Sequence, residues 1–148
     1  MVLNKSHHAA FADAIEKGDA DAVVAIIRQF PELVNHADWT PPPIHCAVLW
    51  DQSNIAEILL ANGADIELLD PDRHTTPLRY AIMYAKSDLV TLLTFRGANS
   101  GPIVEDGTTA LQLAHEAASG AFEGFDDLPP RASYQEVVEV LRQSGVSV

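Results

Sequence analysis

The six histidines and the single cysteine are the residues in this sequence best suited to metal or nucleophilic chemistry. A helical metal site usually places two histidines one turn apart, and a zinc ribbon or finger needs paired cysteines. No two histidines are one helical turn apart, and the single cysteine cannot form a pair. The histidines are His7, His8, His36, His45, His74 and His115. We therefore expect no metal site and no cofactor.

Motifs for nucleophilic or phosphate chemistry are also missing from the sequence. No glycine-rich phosphate loop and no Gly-x-Ser-x-Gly elbow occurs. Cys46 lies beside Ala47 in an apolar helical pattern, which indicates a buried, inert thiol. We expect no catalytic residue and predict that the chain is not an enzyme.

The composition restricts the class of partner. The chain has 148 residues, of which 47% are hydrophobic, and carries a formal net charge of −12. An acidic chain without Lys/Arg clusters is poorly suited to nucleic acid or to an anionic membrane. We expect a protein partner, no nucleic acid, no membrane and a monomer. No secretory signal or bilayer-spanning run is visible, which predicts a cytoplasmic protein.

Residues 75–99 contain two short helical patterns and a stop. After Pro77, the apolar residues Leu78, Ala81 and Ile82 fall on one helical face. A second apolar stripe follows Lys86 and ends at Gly97, a residue type that commonly ends helices. Each predicted helix has only two to three turns, too few to persist alone in water. The stretch therefore needs packed neighbours.

The same pattern recurs along the chain with a period near 33 residues. Pro43 precedes Pro77 by 34 residues, and Gly63 precedes Gly97 by the same interval. The central alanines of the successive patterns are Ala14, Ala47, Ala81 and Ala114. Units open with variants of Thr-Pro-Leu-(His)-x-Ala, and the second and third units close with variants of Leu-Leu-x-x-Gly-Ala. This recurring motif resembles the ankyrin repeat over nearly the whole chain.

The resemblance implies an all-α fold, an ankyrin-repeat solenoid of helix-turn-helix units joined by short finger or β-turn connections. We expect one domain, residues 1–148, with four repeats at about 6–38, 39–71, 72–104 and 105–146. The first helix is predicted from Ser6 to Lys17, with Ser6 as a possible cap and the two neighbouring histidines at a frayed terminus. His45 occupies the histidine of the repeat motif, whose ring the resemblance makes a structural hydrogen-bonding group.

The second and fourth repeats depart from the pattern. Pro42 replaces the threonine that would cap the first helix of repeat two. Gly97 of repeat three and Gly145 of repeat four are 48 residues apart, 15 more than one period of 33. The inserted residues fall at about 119–132. This inserted loop is predicted to be irregular and to lengthen the preceding helix. Phe122, Phe125 and Leu128 are expected to cover the last repeat.

The resemblance also predicts which residues bind. In ankyrin-like stacks the positions two and three residues after the central alanine line a concave groove. Repeats two and three place apolar and aromatic side chains there, and acidic residues are expected around them. The predicted partner-binding residues are Trp39, Leu49, Trp50, Met83, Tyr84, Glu16, Asp51 and Glu116. Ala117 is assigned to the same groove, and Asp106 is assigned to the acidic rim around it.

We interpret the chain as a non-catalytic protein-protein interaction module that binds through the concave face of repeats two and three. Its partner is expected to offer an apolar anchor within a basic rim. One alternative is a dedicated regulatory or inhibitory, immunity-like subunit of one partner, which would use the same surface. Another is a metal or small-ligand binder that uses the inserted loop and the finger histidines His36 and His74.

Overall fold

The structure is a computed structural model that describes residues 3–38, 41–101 and 107–145. Within these ranges the chain forms eight α-helices in four consecutive pairs. They are α1 Lys5–Lys17, α2 Ala20–Gln29, α3 Pro43–Leu49, α4 Ser53–Ala61, α5 Pro77–Met83, α6 Ser87–Phe95, α7 Ala110–Ala118 and α8 Tyr134–Gln143. Short 3-10 helices lie at Pro31–Asn35 and Arg131–Ser133. The described ranges contain no β-strand, and the all-α class is confirmed.

The chain divides into two compact units, Met1–Thr75 and Thr76–Val148. In the first unit α1 packs on α2 and α3, and α4 packs on α2 and α3. In the second unit α5 packs on α6 and α7, and α8 packs on α6 and α7. Each unit thus contains two successive helix pairs. The four repeat boundaries and the single-domain organisation stay predictions.

Each unit has its own apolar core, made from the faces that the sequence pattern indicates. The first unit buries Phe11, Ile15, Val23, Ile27, Leu33, Ile44, Ile55 and Leu59. The second unit buries Leu78, Tyr80, Ile82, Leu89, Leu93, Leu111, Tyr134, Val137 and Leu141. Because α3 and α5 have only seven residues each, this burial rather than helix propensity stabilises them.

The helix starts show how the repeat motif acts locally. The Thr76 hydroxyl accepts a hydrogen bond from the Arg79 amide, and the Thr109 hydroxyl accepts one from the Gln112 amide. These threonines satisfy amides that the first turn leaves without a helical partner. At α3 the residue in this position is Pro42, and no side chain caps the helix. The predicted loss of the cap in repeat two is confirmed.

The start of α1 differs from the prediction. The helix begins at Lys5, and its cap is Asn4 rather than Ser6. The Asn4 side chain accepts from the His7 amide, while His7 Nδ1 accepts from the Asn4 amide. This reciprocal pair is a capping box with histidine as its second member. His7 is therefore engaged in the first turn of the helix, and the prediction of a frayed histidine pair is wrong.

The reversal after the first helix of each pair uses one left-handed residue. These residues are Gly18, Asp51, Ala85 and Gly120, with φ of 69°, 56°, 52° and 99°. In the first three turns, the amide of the next residue donates to the carbonyl of the central alanine, at 2.8–2.9 Å. A left-handed residue at this place lets the chain turn back while it satisfies the last helical carbonyls.

His45 links α3 to the loop that ends the first unit. Its side chain is fully buried, and Nε2 lies 2.7 Å from the Thr75 carbonyl oxygen. Because a carbonyl only accepts, Nε2 must carry the proton. Burial lowers the pKa of His45, although the hydrogen bond to Thr75 and the charge of Asp70 act in the opposite direction. The ring holds this loop against the helix.

The first repeat does not end with the Gly-Ala of the motif, and Asn35 lies at its end instead. Its side-chain oxygen accepts from the Asp65 amide at 2.7 Å, and its side-chain nitrogen donates to the Gly63 carbonyl at 2.8 Å. The 3-10 helix that ends at Asn35 is thereby joined to the end of α4 within the first unit.

Among the residues that the structure describes, none of the helices has both the length and the apolar character to cross a membrane.

Replacing Ala85 by Gly is expected to stabilise the protein by about 0.5 kcal/mol. An alanine in the left-handed region costs about 1–2 kcal/mol, and the greater flexibility of glycine in the unfolded chain offsets part of that gain. Urea unfolding of Ala85→Gly and of the wild type measures the difference. The matched control is Ala25→Gly, since Ala25 is exposed inside α2 and should lose about 1 kcal/mol. Equal destabilisation of both variants would contradict the prediction.

The stability of the protein is expected to fall as the pH is lowered through the His45 transition. The pKa of His45 is lower in the folded chain than its ordinary value of 6.5. The unfolded chain therefore takes up a proton first, and stability present above pH 6.5 is lost as the pH falls. Urea midpoints at pH 7.5 and pH 5.5 measure this loss.

His45→Gln is the control for the pH effect. A glutamine retains a side-chain donor for Thr75 but does not titrate, and Gln112 stands at the same motif position in repeat four. The variant should lose less stability between the two pH values than the wild type. The remaining loss is expected from His8, whose pKa is also lowered, chiefly by burial. Identical pH dependence in the two proteins would contradict the assignment to His45.

Candidate protein-binding turns

The turn after α3 carries two of the predicted contact residues. Leu49 is the last residue of α3 and is half-buried, and Trp50 is its C-cap. The Trp50 amide donates to the Cys46 carbonyl at 3.0 Å, and the Asp51 amide donates to Val48 at 3.1 Å. The indole side chain is 47% exposed. The turn thus holds a large aromatic side chain at the surface on a hydrogen-bonded backbone.

A side-chain hydrogen bond ties this turn to the one before it in the first unit. Gln52 Nε2 donates to the Glu16 carbonyl oxygen at 3.0 Å. Gly18 lies so close to this amide that a Cβ there would meet Gln52 Oε1 at 2.6 Å. Glu16 and Asp51 are both exposed. Two of the predicted acidic residues therefore lie on neighbouring turns, one of which carries Trp50.

The turn after α5 repeats the same geometry in the second unit. Tyr84 is the C-cap of α5, its amide donates to the Tyr80 carbonyl, and Ala85 takes the left-handed conformation. Met83 and Tyr84 are half-buried, and the Tyr84 ring centroid lies 5.2 Å from that of Tyr80. Tyr84 is thus less exposed than the groove prediction implies, because its ring packs on a buried tyrosine.

Tyr134 at the start of α8 supports this second turn. Its hydroxyl donates to the Met83 carbonyl oxygen at 2.6 Å, and its side chain is buried. Burial raises the pKa of Tyr134, and the neighbouring Tyr84 adds to the effect. The hydroxyl therefore stays protonated and available as a donor at neutral pH. The sequence gives no sign of this contact, since the two residues are 51 positions apart.

The groove positions of repeat four are only partly as predicted. Glu116 is exposed, whereas Ala117 is 1% exposed and belongs to the core of the second unit. The left-handed residue follows the central alanine by four residues in the first three repeats and by six in repeat four. Because α7 continues past the usual turn, Ala117 lies inside the helix. Its assignment to the groove is wrong, and the expected lengthening of the helix is found.

Two predicted residues lie outside the described part of the chain. They are Trp39, which is predicted to bind the partner, and Asp106, which is predicted to lie on the acidic rim. Their roles stay predictions.

The histidines come together differently from the sequence expectation. His36 meets His8 of α1, with ring centroids 4.2 Å apart, and its Nε2 lies 3.7 Å from an Asp38 carboxylate oxygen. Burial lowers the pKa of His8, and the adjacent His36 lowers it further. Within residues 3–38, 41–101 and 107–145, no three His, Cys, Asp or Glu side chains form a group that could hold a metal ion.

The cysteine and the motif histidine are both in the core of the first unit. Burial raises the pKa of the Cys46 thiol to about 11, and the charges of Asp70 and Glu16 act in the same direction. A thiol with this pKa is protonated at neutral pH and therefore a poor nucleophile. Cys46 and His45 thus have the character of structural residues.

Parts of the chain are similar to known proteins. The ankyrin repeat family model matches residues 42–71, which include α3 and α4. A relative, the E3 ubiquitin-protein ligase hecd-1 of Caenorhabditis elegans, is 32% identical over 110 residues. The match covers 74% of this chain but only 4% of that protein.

The matched family segment contains the helix start without a threonine cap, His45 and the Trp50 turn. It agrees with the paired helices and with the recurring motif in the sequence. The resemblance drawn from the sequence is confirmed, because residues 42–71 match the ankyrin repeat.

Proposed function

We propose that the chain is a non-catalytic module that binds a protein partner through the concave face of repeats two and three. Ankyrin repeats in general mediate protein-protein interactions. The contacts proposed for this chain lie on the turns after α3 and α5. Trp39, which precedes α3 in the sequence, is part of the proposal. The monomeric state and the cytoplasmic location stay predictions.

The exposure of Trp50 is the observation that carries the proposal. The first unit buries its core without this side chain, which is 47% exposed although it is large and apolar. Tryptophan is among the residue types that most often dominate binding energy at interfaces. The backbone of the turn is already fixed by hydrogen bonds, so little order has to be imposed on binding. Trp50 is therefore a preorganised anchor.

Tyr84 supports the proposal because it occupies the equivalent place in the next repeat. Each of the two aromatic residues is the C-cap of a seven-residue helix, and each precedes a left-handed residue. The packing of Tyr84 on Tyr80 and the Tyr134 hydrogen bond to Met83 hold this second turn in place. We propose that Leu49 and Met83 contribute the apolar contacts beside the two rings.

Acidic residues on the same turns define the partner further. Glu16 and Asp51 are exposed in the first unit, and Glu116 is exposed in the second. A partner with lysine or arginine around an apolar anchor would complement them. Exposed charges of this kind mainly raise the association rate and are weakened by salt.

The similarity to a ubiquitin ligase does not extend the proposal to ubiquitin transfer. The matched part is 4% of that protein, and the contacts proposed here need no catalytic group.

The proposal predicts that replacing Trp50 and Tyr84 by alanine strongly weakens binding. Affinity capture with the wild type identifies the partner, and calorimetry with that purified partner then measures Kd for Trp50→Ala, Tyr84→Ala and the double variant. Loss of a buried aromatic anchor typically costs about 2 kcal/mol or more, roughly thirtyfold in affinity. The double variant should bind at least that much more weakly.

The matched control is Phe95→Ala. Phe95 is 85% exposed and is the last residue of α6, at the opposite end of this helix from the turn after α5. This variant should bind as the wild type does. Urea unfolding of each variant shows whether the fold is retained. Unchanged affinity of a folded Trp50/Tyr84 double variant would refute the proposal.

A further inference from the structure

The inserted loop between α7 and α8 has a defined conformation. Gly120 and Gly124 take positive φ values of 99° and 94°, which allow the chain to reverse twice within a few residues. Backbone amides then close successive turns: Glu123 donates to Gly120, Phe125 to Phe122, and Leu128 to Phe125. The loop is thus a series of hydrogen-bonded turns.

Two side-chain contacts attach the loop to the second unit and close it on itself. The half-buried Phe122 ring meets the buried Tyr134 edge-on, with centroids 5.8 Å apart. Arg131 Nε lies 3.4 Å from a Glu123 carboxylate oxygen, which links the two ends of the loop. Leu128 is also half-buried. These residues account for the covering role predicted from the sequence.

Phe125 does not share that role. Its side chain is 62% exposed, although the sequence predicts that it covers the last repeat together with Phe122 and Leu128. That part of the prediction is wrong, because the turns that bury Phe122 direct the next aromatic residue to the surface. The folded unit gains little from a phenylalanine at this place. An aromatic side chain held at the surface by an ordered loop can fill a pocket of another protein, as aromatic anchors do at interfaces.

The charges around Phe125 indicate the chemistry of that pocket. Asp126 and Asp127 follow it directly and are exposed, and no ion pair joins either of them to the described residues. Glu123, on the other side, already lies beside Arg131. Two carboxylates next to the aromatic ring disfavour an acidic or anionic surface and favour a basic one.

We propose that the inserted loop is a second docking element, which places Phe125 in an apolar pocket of a protein whose rim carries lysine or arginine. The residues of this element belong to the insertion of repeat four and differ from those of the turns proposed above for partner binding. Phe125 supplies the buried contact area. Asp126 and Asp127 orient the approach and pair with the basic rim.

The test uses the full chain with a photoreactive benzoylphenylalanine in place of Phe125. The same amino acid in place of Phe95 is the control, because Phe95 is more exposed, belongs to the same unit and adjoins Arg96 rather than aspartates. Irradiation in cells of the source organism should give a protein adduct at position 125 that is weaker or missing at position 95. The adduct protein is then purified and used as the probe.

Calorimetry with this purified protein decides the proposal. Phe125→Ala should weaken Kd at least tenfold, and Asp126→Asn/Asp127→Asn should weaken it and reduce its dependence on salt. Phe95→Ala, the matched control, should leave the Kd for this protein unchanged. Equal adducts at both positions, adducts with lipid or nucleic acid alone, or an unchanged Kd for Phe125→Ala would overturn the proposal.

Discussion

The reversal after the first helix of each pair is the constraint on which the rest of the structure depends. Helices of seven residues cannot persist alone, so α3 and α5 form only if the chain returns at once with α4 and α6. In both turns a residue with positive φ makes this possible, at Asp51 and Ala85. The following amide then donates to the carbonyl of the central alanine. One local geometry thus satisfies the helix end and brings the second helix back.

The same geometry fixes the side chains proposed to bind. Because the C-cap residue directly precedes the left-handed residue, its backbone is held from both sides, and Trp50 and Tyr84 occupy this place. The hydrogen bond from Gln52 to Glu16 and that from Tyr134 to Met83 restrain the turns further within their units. The turn that brings the second helix back is therefore also the element proposed to bind a partner, and its backbone freedom is already reduced in the unbound protein.

The sequence predicts the helix pairs well because the repeated motif encodes local chemistry. Proline, a capping threonine, the central alanine and the closing glycine each act within a few residues. Contacts between distant positions are not encoded in this way. The sequence therefore does not predict the ring contact of His8 with His36 or the hydrogen bond from Tyr134 to Met83. The inserted loop has no counterpart in the other repeats, which is why the exposure of Phe125 was missed.

Amide hydrogen exchange of the turns tests the central claim most directly. The Gln52 and Lys86 amides donate at 2.8 Å to the carbonyls of Ala47 and Ala81. If the turns are fixed by the packed helices, these two amides exchange only in the openings that also expose α3 and α5. Their exchange rates should then match those of the most protected helical amides. Exchange near the rate of an unstructured peptide, with the helices still protected, would contradict the account.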